Sequence, residues 1–283
     1  MARGGVMKKN TLVAPVLKWV GGKRQLIEDI IKLIPDQYTT YYEPFLGGGA
    51  VLFSLQPERA VVNDISEELI NVYTVIRDNI EELIEDLKTH KNEAGYYYRL
   101  RELDRDREAY SRLSSVKRAS RIIYLNKTCY NGLFRVNRQG EFNSPFGRYK
   151  KPNIVNEKTL RAVNIYFNSA NITFRCMDFE EAVNGIRKGS FVYFDPPYDP
   201  VSDSANFTGY DKGGFGREEQ VRLKKLCDKL DKRNVKFLLS NSATDFILDL
   251  YRDYNITVVK ANRAVNSRGD KRGKVDEVLV RNY

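Results

Sequence analysis

Hydrophobic and polar positions along this chain switch between two periods. TYYEPF (Thr40–Phe45) is a short apolar run that ends at three glycines, and AVLFSL follows it. That order predicts strand, tight turn and helix. AVVNDIS predicts a second strand ending at Asp64. SEELINVYTVIRDNIEELIEDL then repeats its apolar residues at helical spacing and predicts one long helix that Ser66 could cap. Further on, NITFRCMDF and SFVYFDPPY read as strands, REEQVRLKKLCDKL as a helix, VKFLLSNS as a strand, the stretch around DFILDLYRDY as a helix, and NITVVKA and VDEVLVRNY as strands. Strands alternating with helices predict an α/β fold with a largely parallel sheet. Between Asp64 and Ile172 the rhythm breaks for a long segment rich in Arg, Tyr and Asn, which predicts an insertion. The expected division is a catalytic domain over residues 1–65 and 165–283, with an inserted domain over 66–164.

Composition narrows the function. With 47 Lys and Arg against 37 Asp and Glu the net charge is +10, which favours a polyanionic partner, nucleic acid before an anionic membrane. No apolar run is long enough to cross a bilayer, and MARGGVMKKN lacks the apolar core of a signal peptide, so an intracellular, cytoplasmic protein is expected. Met7 followed by KKN resembles a native start, so a leader or tag is the expectation for residues Met1 to Val6. Cys129, Cys176 and Cys227 have no paired spacing, so neither disulfides nor a zinc site are expected. The single histidine, His90, closes a helical pattern, where a solvated side chain is the ordinary reading. Hydrolases with a histidine base and histidine metal sites are disfavoured, and carboxylates, backbone groups or a cofactor must carry any chemistry.

Two stretches carry that chemistry. In EPFLGGGA, from Glu43 to Ala50, glycines at a strand-to-helix turn let a ligand approach the backbone, and Asp64 ends the next strand. An acid there suits ribose hydroxyls because a carboxylate only accepts hydrogen bonds. It could equally cap a helix. In FVYFDPPYDP a buried strand is stopped by two prolines, which cannot pair in a ladder, and displays Asp195 and Tyr198 at its carboxyl end.

EPFLGGGA followed by DPPY, with a basic insertion between them, resembles amino-methyltransferases that use S-adenosylmethionine. LKWVGGK, NKTCYNGLFRVNRQGEFNSPFGRYKKP and RGKVDEVLV extend the likeness to the DNA adenine methyltransferases of the Dam type, from about Leu17 to Val280. The resemblance implies a Rossmann-like S-adenosylmethionine-dependent methyltransferase sheet, with an inserted helical and β-hairpin domain that recognises DNA. It also implies adenine-N6 methylation in double-stranded GATC, with the base extruded and no metal needed. Adenine's exocyclic amine is a poor nucleophile because its lone pair is conjugated into the ring. Acceptors at Asp195 and the Pro196 carbonyl would draw that pair back onto nitrogen, with Pro197 holding the turn and Tyr198 offering a face for the extruded base.

For the cofactor the resemblance implies Trp19, Lys23, Glu43, Phe45, Gly47, Gly49, Asp64, Asp178, Phe179 and Asp195. On local evidence Trp19 is as plausible a core aromatic, and Lys23 a surface charge at a helix start. For DNA it implies Lys18, Arg121, Asn126, Tyr130, Asn131, Leu133, Arg135, Asn137, Pro145 and Arg148. RVNRQGEF reads as a hairpin with Gly140 in its turn. Lys18 and Arg135 are the expected guanine readers, Tyr130 and Asn131 the candidates to fill the gap left by the base, and Leu133 and Pro145 the candidates to touch a thymine methyl. Arg135 could instead grip a phosphate, and the insertion's arginines could be a solvated face. RAVNSRGDKRGK reads as a second loop on the DNA backbone. A cytosine-N4 methyltransferase and a non-catalytic DNA-binding protein are the alternatives.

Overall fold

The computed structural model describes residues 9–19, 23, 26–137, 139–201, 215–262 and 274–283. The proposed leader and nearly all of RAVNSRGDKRGK lie outside these residues. The described strands are β1 (Tyr41–Glu43), β2 (Arg59–Asn63), β3 (Asn171–Arg175), β4 (Phe191–Phe194), β5 (Lys236–Ser242), β6 (Asn255–Asn262) and β7 (Lys274–Arg281) of a seven-stranded mixed sheet. The chain divides into two compact units. The first contains residues 1–22, 47–59 and 66–176, and the second contains residues 23–46, 60–65 and 177–283.

In the second unit the strands run in the order β2-β1-β4-β5-β7-β6. The first four are parallel, with Tyr41 opposite both Ala60 and Phe191 and Val192 opposite Phe237. β7 runs antiparallel between β5 and β6. Every residue of β4 is buried, as a parallel strand covered on both faces requires. The helix Arg217–Lys232 supplies Leu223, Leu226 and Leu230 to a core containing Phe194, Phe237 and Val280. At roughly 2 kcal/mol per buried leucine, this apolar stripe fixes the helix against the sheet. β1 and β4 are adjacent and parallel while chain order runs outward from them in both directions. In such sheets the crevice beyond the carboxyl ends of that pair binds ligands.

The first unit is mainly helical. Its centre is the helix Ser115–Thr128, capped by the Ser114 hydroxyl, which accepts from the Lys117 N–H at 3.3 Å, and buried over most of its length. The single long helix expected after Ser66 is two helices, Glu67–Asp78 and Ile80–Lys88. Asn79, at φ −133° and ψ 44°, leaves the helical region between them. This one break re-aims the apolar stripe of Leu83, Ile84 and Leu87. Ser66 does cap the first of the two helices, accepting from the Leu69 N–H.

The solvated reading of His90 is overturned. Its ring nitrogens lie 2.7 Å from the Tyr96 hydroxyl and 2.9 Å from the Ser120 hydroxyl, and its ring packs on Tyr124. Burial pushes its pKa down, so the neutral ring is a structural hydrogen-bonding group. Cys129 and Cys227 are buried and Cys176 is exposed. No helix among the described residues is long and apolar enough to cross a membrane.

Candidate functional site

Asp195 is the first residue after β4, and its side chain stays 20% exposed while the strand behind it is fully buried. The Lys23 ammonium lies 2.8 Å from its Oδ1, and the Ser240 hydroxyl donates to the same oxygen at 3.1 Å. Ser240 in turn lies 2.8 Å from the Tyr193 hydroxyl. Burial pushes the Asp195 carboxyl above its ordinary range. The Lys23 cation and the hydrogen bonds from Lys23, Ser240 and Tyr198 pull against that rise. Lys23 also sits 4.5 Å above the centroid of the Tyr198 ring, and the Tyr198 hydroxyl donates to Glu277 at 3.0 Å. Lys23 is only 6% exposed, so the surface-charge reading of it falls.

The turn after Asp195 is fixed by side chains from neighbouring elements. Gln220 Nε2 donates to the Pro197 carbonyl at 2.8 Å, and Asn241 Nδ2 holds Gln220 at 3.0 Å. Asn241 Oδ1 accepts the Asp199 N–H at 3.0 Å, and the Asp199 carboxylate accepts from Thr244 Oγ1 at 2.7 Å and Arg217 Nε at 3.2 Å. None of the described residues donates to the Pro196 carbonyl. A rigid turn therefore presents a carboxylate and a carbonyl, two acceptors on adjacent residues.

Phe45, just beyond β1, packs its ring 5.3 Å from Phe179. Asp178 starts the short helix Phe179–Ala182, its carboxylate accepting from the Glu180 N–H at 2.9 Å and pairing with Arg222, whose guanidinium lies 4.3 Å over Phe179. Asp64 follows β2 and is half-buried. Glu43 is 2% exposed and accepts from the Tyr41 hydroxyl at 2.8 Å, a bond that makes it part of the strand's interior.

The other predicted residues lie in the first unit. Gly47 and Gly49 have φ of +48° and +68°, the left-handed region that favours glycine, and a Cβ on Gly49 would meet the Phe53 ring at 2.9 Å. Trp19 stacks on Phe134 with centroids 4.3 Å apart. Tyr130 is 59% exposed, and Asn131 beside it has φ +57°. Lys18 is exposed and donates its ammonium to the Asn131 carbonyl. The predicted hairpin forms: Val136 bridges Phe142, Asn137 N donates to Glu141 O at 2.8 Å, and Gly140 turns at φ +82°. Arg135 is exposed and donates from Nε to Asn143 Oδ1 at 2.8 Å, while Pro145 and Arg148 are exposed and Leu133 is half-buried.

Three expected DNA contacts have other work. Arg121 is 2% exposed. It donates to the Leu100 and Arg101 carbonyls at 2.6 and 2.8 Å and pairs with Asp104 at 2.9 Å, so its guanidinium is consumed inside the unit. Asn126 is 1% exposed, accepting the Lys18 N–H and donating to the Lys18 carbonyl, both at 2.8 Å. It positions Lys18 and does not face outward. Asn137 closes the hairpin turn, its Oδ1 accepting the Gln139 and Glu141 N–H groups at 3.0 Å.

The D12 class N6 adenine-specific DNA methyltransferase family matches residues 19–265. The chain belongs to this family. It is 44% identical over 281 residues to the type II methyltransferase M1.LlaDCHI of Lactococcus lactis subsp. cremoris, covering 98% of this chain and 99% of that protein. It is 41% identical to the type II methyltransferase M.MjaIII of Methanocaldococcus jannaschii, covering 96% and 99%, and 35% identical to the DNA adenine methylase of Escherichia coli K12, covering 97% and 96%. This protein is thus an adenine-specific DNA methyltransferase, and the cytosine-N4 and non-catalytic alternatives fall.

Two side chains of this methyltransferase's site escaped the sequence reading. Ser240 and Glu277 come from β5 and β7, and each touches the Asp195–Tyr198 turn. The signal was present in both strands. KFLLSNS and KVDEVLVR each place a polar residue inside a buried apolar strand, where it requires a partner.

Proposed function

We propose that the enzyme methylates the N6 atom of adenine in double-stranded GATC, using S-adenosylmethionine and taking the target base out of the duplex. What carries the reading is the acceptor pair after β4: the Asp195 carboxylate, oriented by Lys23 and Ser240, and the Pro196 carbonyl, to which none of the described residues donates. An amine with both N–H groups engaged there has its lone pair localised on nitrogen, and the charge that grows as it attacks a methyl carbon lies beside a carboxylate. Asp195 then stands where the nitrogen sheds its proton. Ser240 and Lys23 orient that carboxylate, and Tyr198 supplies a ring for the base to stack on.

The residues of the second unit fit such a cofactor. Asp64 is an acceptor-only group at the end of β2, suited to ribose hydroxyls, and Phe45 and Phe179 offer aromatic surface beside Asp178 for an adenine. Bound there, the cofactor supplies a methyl group on an electron-poor sulfonium. DNA reading is assigned to residues 66–164 together with Lys18, with Lys18 and Arg135 on guanine, Tyr130 and Asn131 at the vacated position, and Leu133, Pro145 and Arg148 along the same surface. Support comes from the exposure of Lys18, Tyr130, Asn131, Arg135, Pro145 and Arg148 and from the basic charge of the chain. The test is methylation-sensitive sequencing of random duplex DNA incubated with the protein and S-adenosylmethionine. N6-methyladenine confined to GATC is expected, and methylation spread over other sites refutes the specificity.

A further inference from the structure

The recognition hairpin is a two-stranded ribbon, and such ribbons are marginal in water without further support. Its Val136–Phe142 pair is of the non-hydrogen-bonded kind, because the flanking bonds run from Asn137 N to Glu141 O and from Asn143 N to Arg135 O. The N–H and C=O of Phe142 therefore point away from Val136, as at any sheet edge. Side chains meet both. Asp104 Oδ2 accepts the Phe142 N–H at 2.8 Å, and Arg105 donates to the Phe142 carbonyl at 2.8 Å. Arg107 donates to the Gln139 carbonyl at 2.7 Å, so the 3₁₀ turn Leu103–Arg105 and the helix start beside it stand in for a third strand. Asp104 is itself held, by Arg105 at 2.8 Å and by the buried Arg121 at 2.9 Å. An open pocket of about 430 Å³ beside them is lined by Asp104, Tyr110, Arg118, Phe134, Gly140 and Phe142. Phe142 is itself buried against Phe134, so an apolar anchor and these polar bonds together hold the hairpin.

We propose that Asp104 is a positioning residue for DNA reading: backed by Arg121, its carboxylate fixes the hairpin and so the direction of Arg135. The proposal rests on the assignment of Arg135 as a base reader. Three donors converge on the carboxylate, and an asparagine cannot serve them all, because its amide nitrogen would face a donor. Asp104→Asn should raise hydrogen exchange of the hairpin segment 137–143 about tenfold in the free protein, with exchange in the second unit unchanged. It should also lower, by roughly tenfold, the ratio of methylation rates at GATC and at sites altered in one outer base pair. A general loss of stability would slow all sites and leave that ratio alone. Combined with Arg135→Ala, Asp104→Asn should lower the ratio no further. If Asp104→Asn does not fold, Arg105→Leu, at a side chain 28% exposed, should give both effects at about fivefold. Unchanged exchange in the hairpin overturns the proposal. So does an unchanged ratio in a protein where Arg135→Ala does change it. If Arg135→Ala leaves the ratio intact, the reader assignment has failed, and the exchange measurement alone decides whether Asp104 is the clamp.

Discussion

The turn that carries Asp195 and the hairpin that carries Arg135 each display one polar side chain next to a strand, and they are held by different means. The Asp195 turn continues a buried central strand, with Gln220 and Thr244 donating hydrogen bonds to it and Asn241 accepting one from it. The hairpin has one bridging pair of its own and is held from outside by ionised side chains, Asp104, Arg105 and Arg107. Bond formation at an amine needs acceptors fixed to a fraction of an ångström, which a sheet's interior provides. On the proposed function the hairpin reads a groove, which tolerates more play, and the proposed clamp suffices.

The sharpest way to break this comparison is at the Asp195 turn. Asp195→Ala should lower single-turnover methyl transfer by about a thousandfold while specific DNA affinity survives. A near wild-type rate in that variant would remove the proposed chemistry. Arginines of the first unit give the next effect. Arg121→Ala leaves Asp104 without its buried cation and should reduce stability by about 3 kcal/mol in urea unfolding. Arg135→Ala, at an exposed position, should stay within about 0.5 kcal/mol of wild type and instead relax selection at one base pair. Equal destabilisation by both would erase the distinction between strut and reader.

That pair of arginines shows where sequence stops being legible. All seven strands were visible as apolar runs, and DPPY announced itself because prolines, an acid and an aromatic after a buried strand have few structural uses. Arg121 and Arg135 read alike because burial of an arginine depends on partners distant in sequence, such as Asp104 and the Leu100 carbonyl. His90 misled for the same reason, since its partner Ser120 comes from a different helix. The break at Asn79 was hidden by an apolar spacing that continues across it. Ser240 and Glu277 were marked by polarity in apolar strands, but only the register of β5 against β7 brings both beside one turn.

A smaller effect separates cofactor binding from both regions. Asp64→Ala should weaken S-adenosylmethionine binding by about 1–3 kcal/mol in calorimetry, as loss of a charged hydrogen bond costs, with non-specific DNA affinity unchanged. Ser66 already caps the helix Glu67–Asp78, so unchanged cofactor affinity would leave Asp64 with no ligand role at all.

The smallest expected effect is a displacement along the pH axis, and it tests how the Asp195 carboxylate, the proposed catalytic group, is held. Burial raises the Asp195 pKa above the ordinary carboxylate value, and the Lys23 cation opposes the rise. As an acceptor Asp195 must be ionised, so methyl transfer should fail as pH drops through the raised folded-state pKa, earlier than an exposed aspartate would allow. Stability has the opposite sign: a folded-state pKa above the unfolded value favours folding at low pH, and that contribution is lost as pH rises through the folded pKa. Lys23→Met removes the opposing cation at similar length, so the acid limb of the single-turnover rate should move to higher pH. If the limb stays in place, Lys23 is not what keeps Asp195 ionised, and Ser240, which donates to the same oxygen, takes over that role.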